Sequence, residues 1–299
     1  MERIQSAIEK ARAERRDVLA RGTAAPLPGT PSAGGPDDIP PTPLLVPDPT
    51  SGALFDPAVD VAARAARWDA LPTFVPDARQ LDRNRIVAAA GGRDAVPFDV
   101  MRTRLLQQMR ANKWRRVAIT SPTAACGKST IALNLAFGLA RQPDIRTILC
   151  ELDLRRPTLS ATLGLRDPLH FARVIEGVSP FADQARRIGT NLAVSLNRGA
   201  VKNPAELLHG PAVATALDRI EAEYDPTVMI FDMPPLLVSD DAMAFLGQVD
   251  CAILVAAAES TTIKQIDACE RELAAQTNVL GIVLNKCRYV GPDYGYDYY

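Results

Sequence analysis

From about residue 78 the chain alternates short apolar, β-branched runs with stretches of helical periodicity. Residues 116–120, 146–153, 191–196, 227–232, 251–257 and 279–284 read as strands. Residues 128–141, 204–224, 240–246 and 262–276 read as helices, because their apolar positions recur every three to four residues. Strands that alternate with helices predict a parallel sheet covered on both faces, an α/β fold. Val228-Met-Ile-Phe231 is apolar throughout, which fits a strand buried on both sides.

The two ends break this pattern. Ile4, Ala7, Ile8 and Ala11 recur at helical spacing among charged residues, so residues 1–20 read as a helix. Residues 21–77 are crowded with proline and glycine and read as a linker that cannot bury enough to offset its ordering entropy. The globular domain is then expected over 78–288 and a tail over 289–299. Five of the six tyrosines fall in that tail: Tyr289, Tyr294, Tyr296, Tyr298 and Tyr299. With no aliphatic run beside them, these rings cannot build a core, and a flexible terminus would leave them within reach of another active site.

Composition narrows the classes. A net charge of -1 gives no global pull towards nucleic acid. The five cysteines are scattered, which argues against zinc and disulfide frameworks and fits a reducing compartment. The N-terminus lacks an apolar signal core, and the run 251–258 is too short to span a bilayer. A soluble cytoplasmic protein is expected.

Chemistry enters after the first strand. Ser121-Pro-Thr-Ala-Ala-Cys-Gly-Lys-Ser-Thr130 stands between a strand and a helix, and its Gly127-Lys128-Ser129 is the end of a phosphate-binding loop. Main-chain N–H groups from Ala125, Cys126, Gly127 and Thr130 would cradle phosphates. Lys128 would reach the β- and γ-phosphates, and the Ser129 hydroxyl would sit on Mg²⁺. The strict pattern wants glycine six residues before the lysine, where this chain has Pro122. Two later strands end in acids: Glu151 and Asp153 after one, Asp232 after the other. Carboxyl ends of parallel strands are where open α/β sheets bind ligands, and an ATP site needs carboxylates for its metal. Asp153 and Asp232 are therefore the expected Mg²⁺ residues.

Together these segments resemble the bacterial tyrosine autokinases of capsule and exopolysaccharide operons, over roughly residues 83–299. The family has an apolar run followed by Asp-x-Asp-x-Arg, here Glu151-Leu-Asp153-Leu-Arg155. It has a second apolar run followed by Asp-x-Pro-Pro, here Asp232-Met-Pro-Pro235, and a C-terminal tyrosine cluster. Residues 203–208 and the Asp241-Ala242 pair also resemble family segments, as does the N-terminal decapeptide. Three positions depart: Glu151 replaces the usual Asp, Leu105 stands where a ring-forming helix has its second arginine after Asp99 and Arg102, and Thr123 replaces the lysine of the partitioning ATPases.

The resemblance implies an ATP- and Mg²⁺-dependent kinase that phosphorylates its own tail between subunits and regulates polysaccharide polymerisation or export. It makes Lys128, Glu151, Asp153 and Asp232 catalytic, with Glu151 orienting or deprotonating the tyrosine hydroxyl, and puts Asn285 against adenine. It implies self-association and a membrane co-polymerase partner that recruits the chain to the inner face of the membrane. A dimerising ATPase switch and a non-catalytic ATP-binding adaptor remain the alternatives.

Overall fold

The computed structural model describes residues 57–288. The N-terminal helix, most of the expected linker and all five tail tyrosines lie outside these residues. Seven strands form one sheet: β1 Arg116–Thr120, β2 Thr147–Glu151, β3 Arg186–Ile188, β4 Leu192–Ser195, β5 Val228–Asp232, β6 Cys251–Ala257 and β7 Asn278–Asn285. Their order is β3-β4-β2-β5-β1-β6-β7. All pairings are parallel except β3 with β4. This is the α/β sheet that the alternating pattern predicts.

Alternation along each central strand feeds two separate cores, because successive side chains point to opposite faces. Val117, Ile119, Leu149, Val228 and Ile230 pack on one face, under the helices Lys128–Ala140 and Val96–Asn112. Ala118, Ile148, Met229 and Phe231 pack on the other, under Ala212–Tyr224 and Ile263–Gln276. The last helix starts at a capping box, in which Thr262 and Gln265 satisfy each other's main-chain N–H groups. Every residue of β2, β5 and β6 is buried.

Three local readings are corrected. The helix expected over 204–224 is two, Pro204–His209 and Ala212–Tyr224. Pro211 has no N–H to continue the first and disfavours helical backbone at Gly210, which is extended at φ -67 and ψ 150. The edge strand β3 is only three residues long and carries two arginines, so it shows no apolar pattern. The structured body also begins earlier than residue 78: Pro57–Asp69 is a helix inside the stretch read as linker. Trp68 and Leu71 at its end are each 2% exposed, and Trp68 Nε1 donates to the Thr190 carbonyl at 2.7 Å. The Arg146 guanidinium lies 5.6 Å from the Trp68 ring. Proline crowding masked this helix, whose own sequence is rich in alanine and opens on a proline at its first turn. Among the described residues no helix is long and apolar enough to cross a membrane.

Trp68→Ala should lower unfolding stability by about 3–5 kcal/mol, read as a drop in the urea midpoint, because it empties a core position. A truncation through Pro76 should be destabilised as well, since it removes Trp68 and Leu71 together.

Candidate active site

The sheet brings the sequence-predicted acids to one place. Ile119 of β1 and Glu151 of β2 both stand in register with Asp232 of β5. The carboxyl ends of these three central strands therefore meet where β1 enters the phosphate loop. Beyond the strands, the Leu152 and Asp153 N–H groups donate to the Asp232 carbonyl at 2.8 and 3.1 Å. The segment after β5 is tied to the phosphate loop by Leu236 N–H to the Ser121 carbonyl at 2.8 Å, and by the Thr120 hydroxyl to the Pro234 carbonyl at 2.8 Å.

The loop itself turns through left-handed backbone at Ala125, φ 64, and Gly127, φ 94. Alanine tolerates that region at a cost of about 1–2 kcal/mol, so the loop holds a conformation its own sequence disfavours. The helix Lys128–Ala140 then starts immediately, and its N-terminal N–H groups and dipole favour an anion there. Cys126 is buried against two hydroxyls, its Sγ 3.6 Å from Thr123 Oγ1 and 3.7 Å from Thr261 Oγ1. Burial pushes its thiol up, but these hydroxyls outweigh it and the pKa lies below the ordinary value.

Lys128 is the centre of charge. Its Nζ lies 2.9 Å from Asp153 Oδ2, 3.3 Å from Ser129 Oγ and 3.7 Å from Asp232 Oδ1. Burial opposes its charge, yet Asp232 and Asp153 outweigh that and raise its pKa. Asp232 is 0% exposed, and neither of its oxygens has a hydrogen-bond partner. Burial raises its pKa, with the Lys128 charge opposing. Two buried acceptors without donors, beside a lysine and a serine hydroxyl, fit a hydrated divalent cation on a bound triphosphate. Asp153 and Ser129 complete that oxygen set.

Glu151 occupies a different position from the one its motif implies. It is 0% exposed. Oε1 accepts from the Thr158 and Leu159 N–H groups at 2.6 and 2.8 Å, and Oε2 from the Asn197 N–H at 2.9 Å. Both oxygens are thus committed to main chain, and neither is turned to Lys128 as those of Asp153 and Asp232 are. The extra methylene carries the carboxylate past the strand end and into the following turn. Asp153 is the carboxylate with an open edge, at 8% exposure. Its Oδ1 accepts from the Arg156 N–H at 3.1 Å.

Sequence reasoning missed two partners. Asn197 holds Glu151 twice, its Nδ2 also donating to the Glu151 carbonyl at 2.8 Å; a lone Asn after a strand carries no signal of this. Arg155 forks onto the buried Asp241 at 2.5 and 2.9 Å, tying the two acidic loops together. Arg155 and Asp241 lie in segments singled out by resemblance, but not as a pair. Asp99 and Arg102 are used within the chain: Arg102 bonds Asp99 and the Gly138 carbonyl at 3.0 Å each, and Arg141 bonds Asp99 at 3.0 Å. Asn285 ends β7 with Nδ2 donating to the Cys126 carbonyl at 2.9 Å.

A family model described as ParA, NUBPL iron-transfer P-loop NTPase, matches residues 113–299. The tyrosine-protein kinase YwqD of Bacillus subtilis strain 168 is 30% identical over 185 residues, covering 61% of this chain and 77% of that protein. The chain belongs to the bacterial tyrosine-kinase branch of the ParA-type P-loop NTPases. The kinase domain of the Escherichia coli tyrosine kinase ETK superposes with a TM-score of 0.58 at 25% identity, over 67% of this chain and 80% of that one. The chimerical protein CapA2B2 shares the fold, with a TM-score of 0.62 at 22% identity over 77% of this chain and 98% of that one. The P-loop NTPase fold implies nucleotide binding.

The buried Glu151 gives this branch member a measurable pH signature. Burial pushes its pKa from 4.5 up to about 7, against the three N–H donors that hold it down. Between those values the folded chain binds a proton that the unfolded chain has released, so stability falls as pH rises through the window. The total change is at most roughly 3 kcal/mol, at 1.4 kcal/mol per unit. Glu151→Gln should flatten that slope in urea titrations from pH 4.5 to 7.5, and should also lower stability at every pH, because one amide oxygen cannot replace both carboxylate oxygens.

Proposed function

We propose that the chain is an ATP- and Mg²⁺-dependent protein-tyrosine autokinase, with its C-terminal tyrosines as acceptors. One observation carries the reading: Asp232 holds two buried, unpartnered oxygens beside Lys128 and Ser129 at a phosphate loop. Tyrosine-kinase membership and the five tail tyrosines direct that site towards a phenolic acceptor.

The roles follow from the contacts. Lys128 leaves its carboxylate partners for the β- and γ-phosphates, with the loop N–H groups around it. Ser129, Asp153 and Asp232 would hold Mg²⁺ and its waters. Magnesium, when bound, supplies neutralisation of the phosphate charge. In the transfer, the bond from the γ-phosphorus to the bridging oxygen breaks and one to the tyrosine oxygen forms. The phenol has a pKa near 10 and must give up its proton as that happens. Asp153, at 8% exposure the most open of the three carboxylates, would take it on Oδ1, the oxygen turned away from Lys128, leaving Oδ2 to the metal. Arg155, locked on Asp241, keeps the Asp153 loop against the loop after β5.

The transfer runs between copies of the chain, the arrangement that the resemblance to the tyrosine autokinases implies. Each phosphotyrosine adds about -1.5 to -2 charges, which disfavours return of a modified tail to an acidic site. Regulation of capsule or exopolysaccharide assembly through a membrane co-polymerase, with the kinase at the inner membrane face, completes the proposal.

Lys128→Met and Asp232→Asn should each reduce phosphate transfer from labelled Mg-ATP to tyrosine by roughly 10²-fold or more, since each removes a charge from the reacting phosphate's surroundings. Removal of residues 289–299 should abolish self-labelling but leave labelling of an added tyrosine peptide. Release of inorganic phosphate with no labelled tyrosine would instead indicate an ATPase switch.

A further inference from the structure

The phosphate loop is also held from the side by the edge strand β7, through one side chain. Asn285 Nδ2 donates to the Cys126 carbonyl at 2.9 Å across 159 residues of chain. Gly127 is shaped around it: a Cβ there would lie 2.2 Å from Asn285 Nδ2, and the residue needs φ 94 besides. Asn285 is fixed in turn, since its own carbonyl accepts from the Ala258 N–H at 2.8 Å. The turn between β6 and the helix Ile263–Gln276 supplies a second tether. Thr261 Oγ1 accepts from the Ala257 N–H at 2.9 Å and stands 3.7 Å from Cys126 Sγ. Both chain segments leave their strands through left-handed residues, Glu259 at φ 64 and Lys286 at φ 61, so neither position is an ordinary strand exit.

We propose that Asn285 is a positioning residue for the phosphates, acting through the main chain of the loop rather than only on a base. A trans peptide is planar, and its C=O and N–H point in opposite directions. The chain has no cis peptide among the described residues. Pinning the Cys126 carbonyl towards Asn285 therefore aims the Gly127 N–H the other way and removes a rotation that an alanine- and cysteine-containing loop would otherwise sample. Glycine at 127 permits this close approach; any side chain there would displace the amide.

The inference rests on the nucleotide site proposed above, and a base-free ligand separates the two. Inorganic tripolyphosphate has the charged chain of ATP and no adenine. In the full chain with Mg²⁺, Asn285→Ala should weaken tripolyphosphate and ATP by similar factors, about 5- to 10-fold, the loss of one hydrogen bond. Asn285→Asp keeps the size, removes the donor and sets a carboxylate against a carbonyl, so it should lose at least as much while melting near the parent temperature. Amide hydrogen exchange across residues 125–128 should speed up in both variants. A fall in ATP affinity with tripolyphosphate affinity and loop exchange unchanged would confine Asn285 to the base and overturn the proposal. Unchanged binding of both ligands would overturn it too. A parent chain that binds neither ligand overturns the nucleotide site itself, and this inference with it.

Discussion

Two carboxylates, Asp153 and Asp232, meet one ammonium at the buried ends of the central strands, and most of the local structure follows from that imbalance. Asp232 is fully buried with no donor to either oxygen, a state that is expensive without a counter-charge. Lys128 supplies the counter-charge at 3.7 Å while bonded more closely to Asp153. The cluster remains short of positive charge, which is the electrostatic condition for taking up a cation together with a phosphate chain. A site filled only with protein groups would gain stability from more donors; this one leaves both Asp232 acceptors unfilled, as the proposed metal and phosphate site would need.

The fold meets the imbalance differently at each acid. Glu151 is withdrawn from the site and held by three main-chain N–H groups, so it shapes the turn that follows β2. That turn delivers Asp153 and Arg155, and Arg155 then closes on Asp241 from the loop after β5. Replacing an aspartate by a glutamate at position 151 thus changes the job of the residue. A shorter side chain at the same strand end could not reach the Thr158 and Leu159 N–H groups in this backbone.

Around this centre the phosphate loop is clasped on two sides. The segment after β5 bonds Ser121 from one side, and Asn285 with Thr261 approaches Cys126 from the other. Each contact bridges a loop to a strand end, so the rigid sheet sets the shape of a segment whose own residues, Ala125 above all, would relax elsewhere. The helix Pro57–Asp69 contributes at a distance, by covering the second core with Trp68.

Much of this was legible in the sequence alone. Periodicity located six of the seven strands, because buried parallel strands are apolar throughout and the helices between them carry one apolar stripe. The phosphate loop and the acids Asp153 and Asp232 were readable because phosphate and metal chemistry demands those residue types at strand ends. What stayed hidden depended on contacts between distant segments. The edge strand β3 forms by pairing with β4, and its arginines give no period. Pro57–Asp69 is a helix whose place in the body depends on Trp68, which bonds the Thr190 carbonyl 122 positions away and lies under Arg146. The direction of Glu151 was decided by the Thr158–Leu159 turn folding back on it, and that of Asn285 by an approach across 159 residues that only a glycine at 127 allows. Residue type and spacing fix which chemistry is possible; the direction in which a carboxylate or an amide points is settled by tertiary packing, because only the assembled chain decides which donors lie within 3 Å of it.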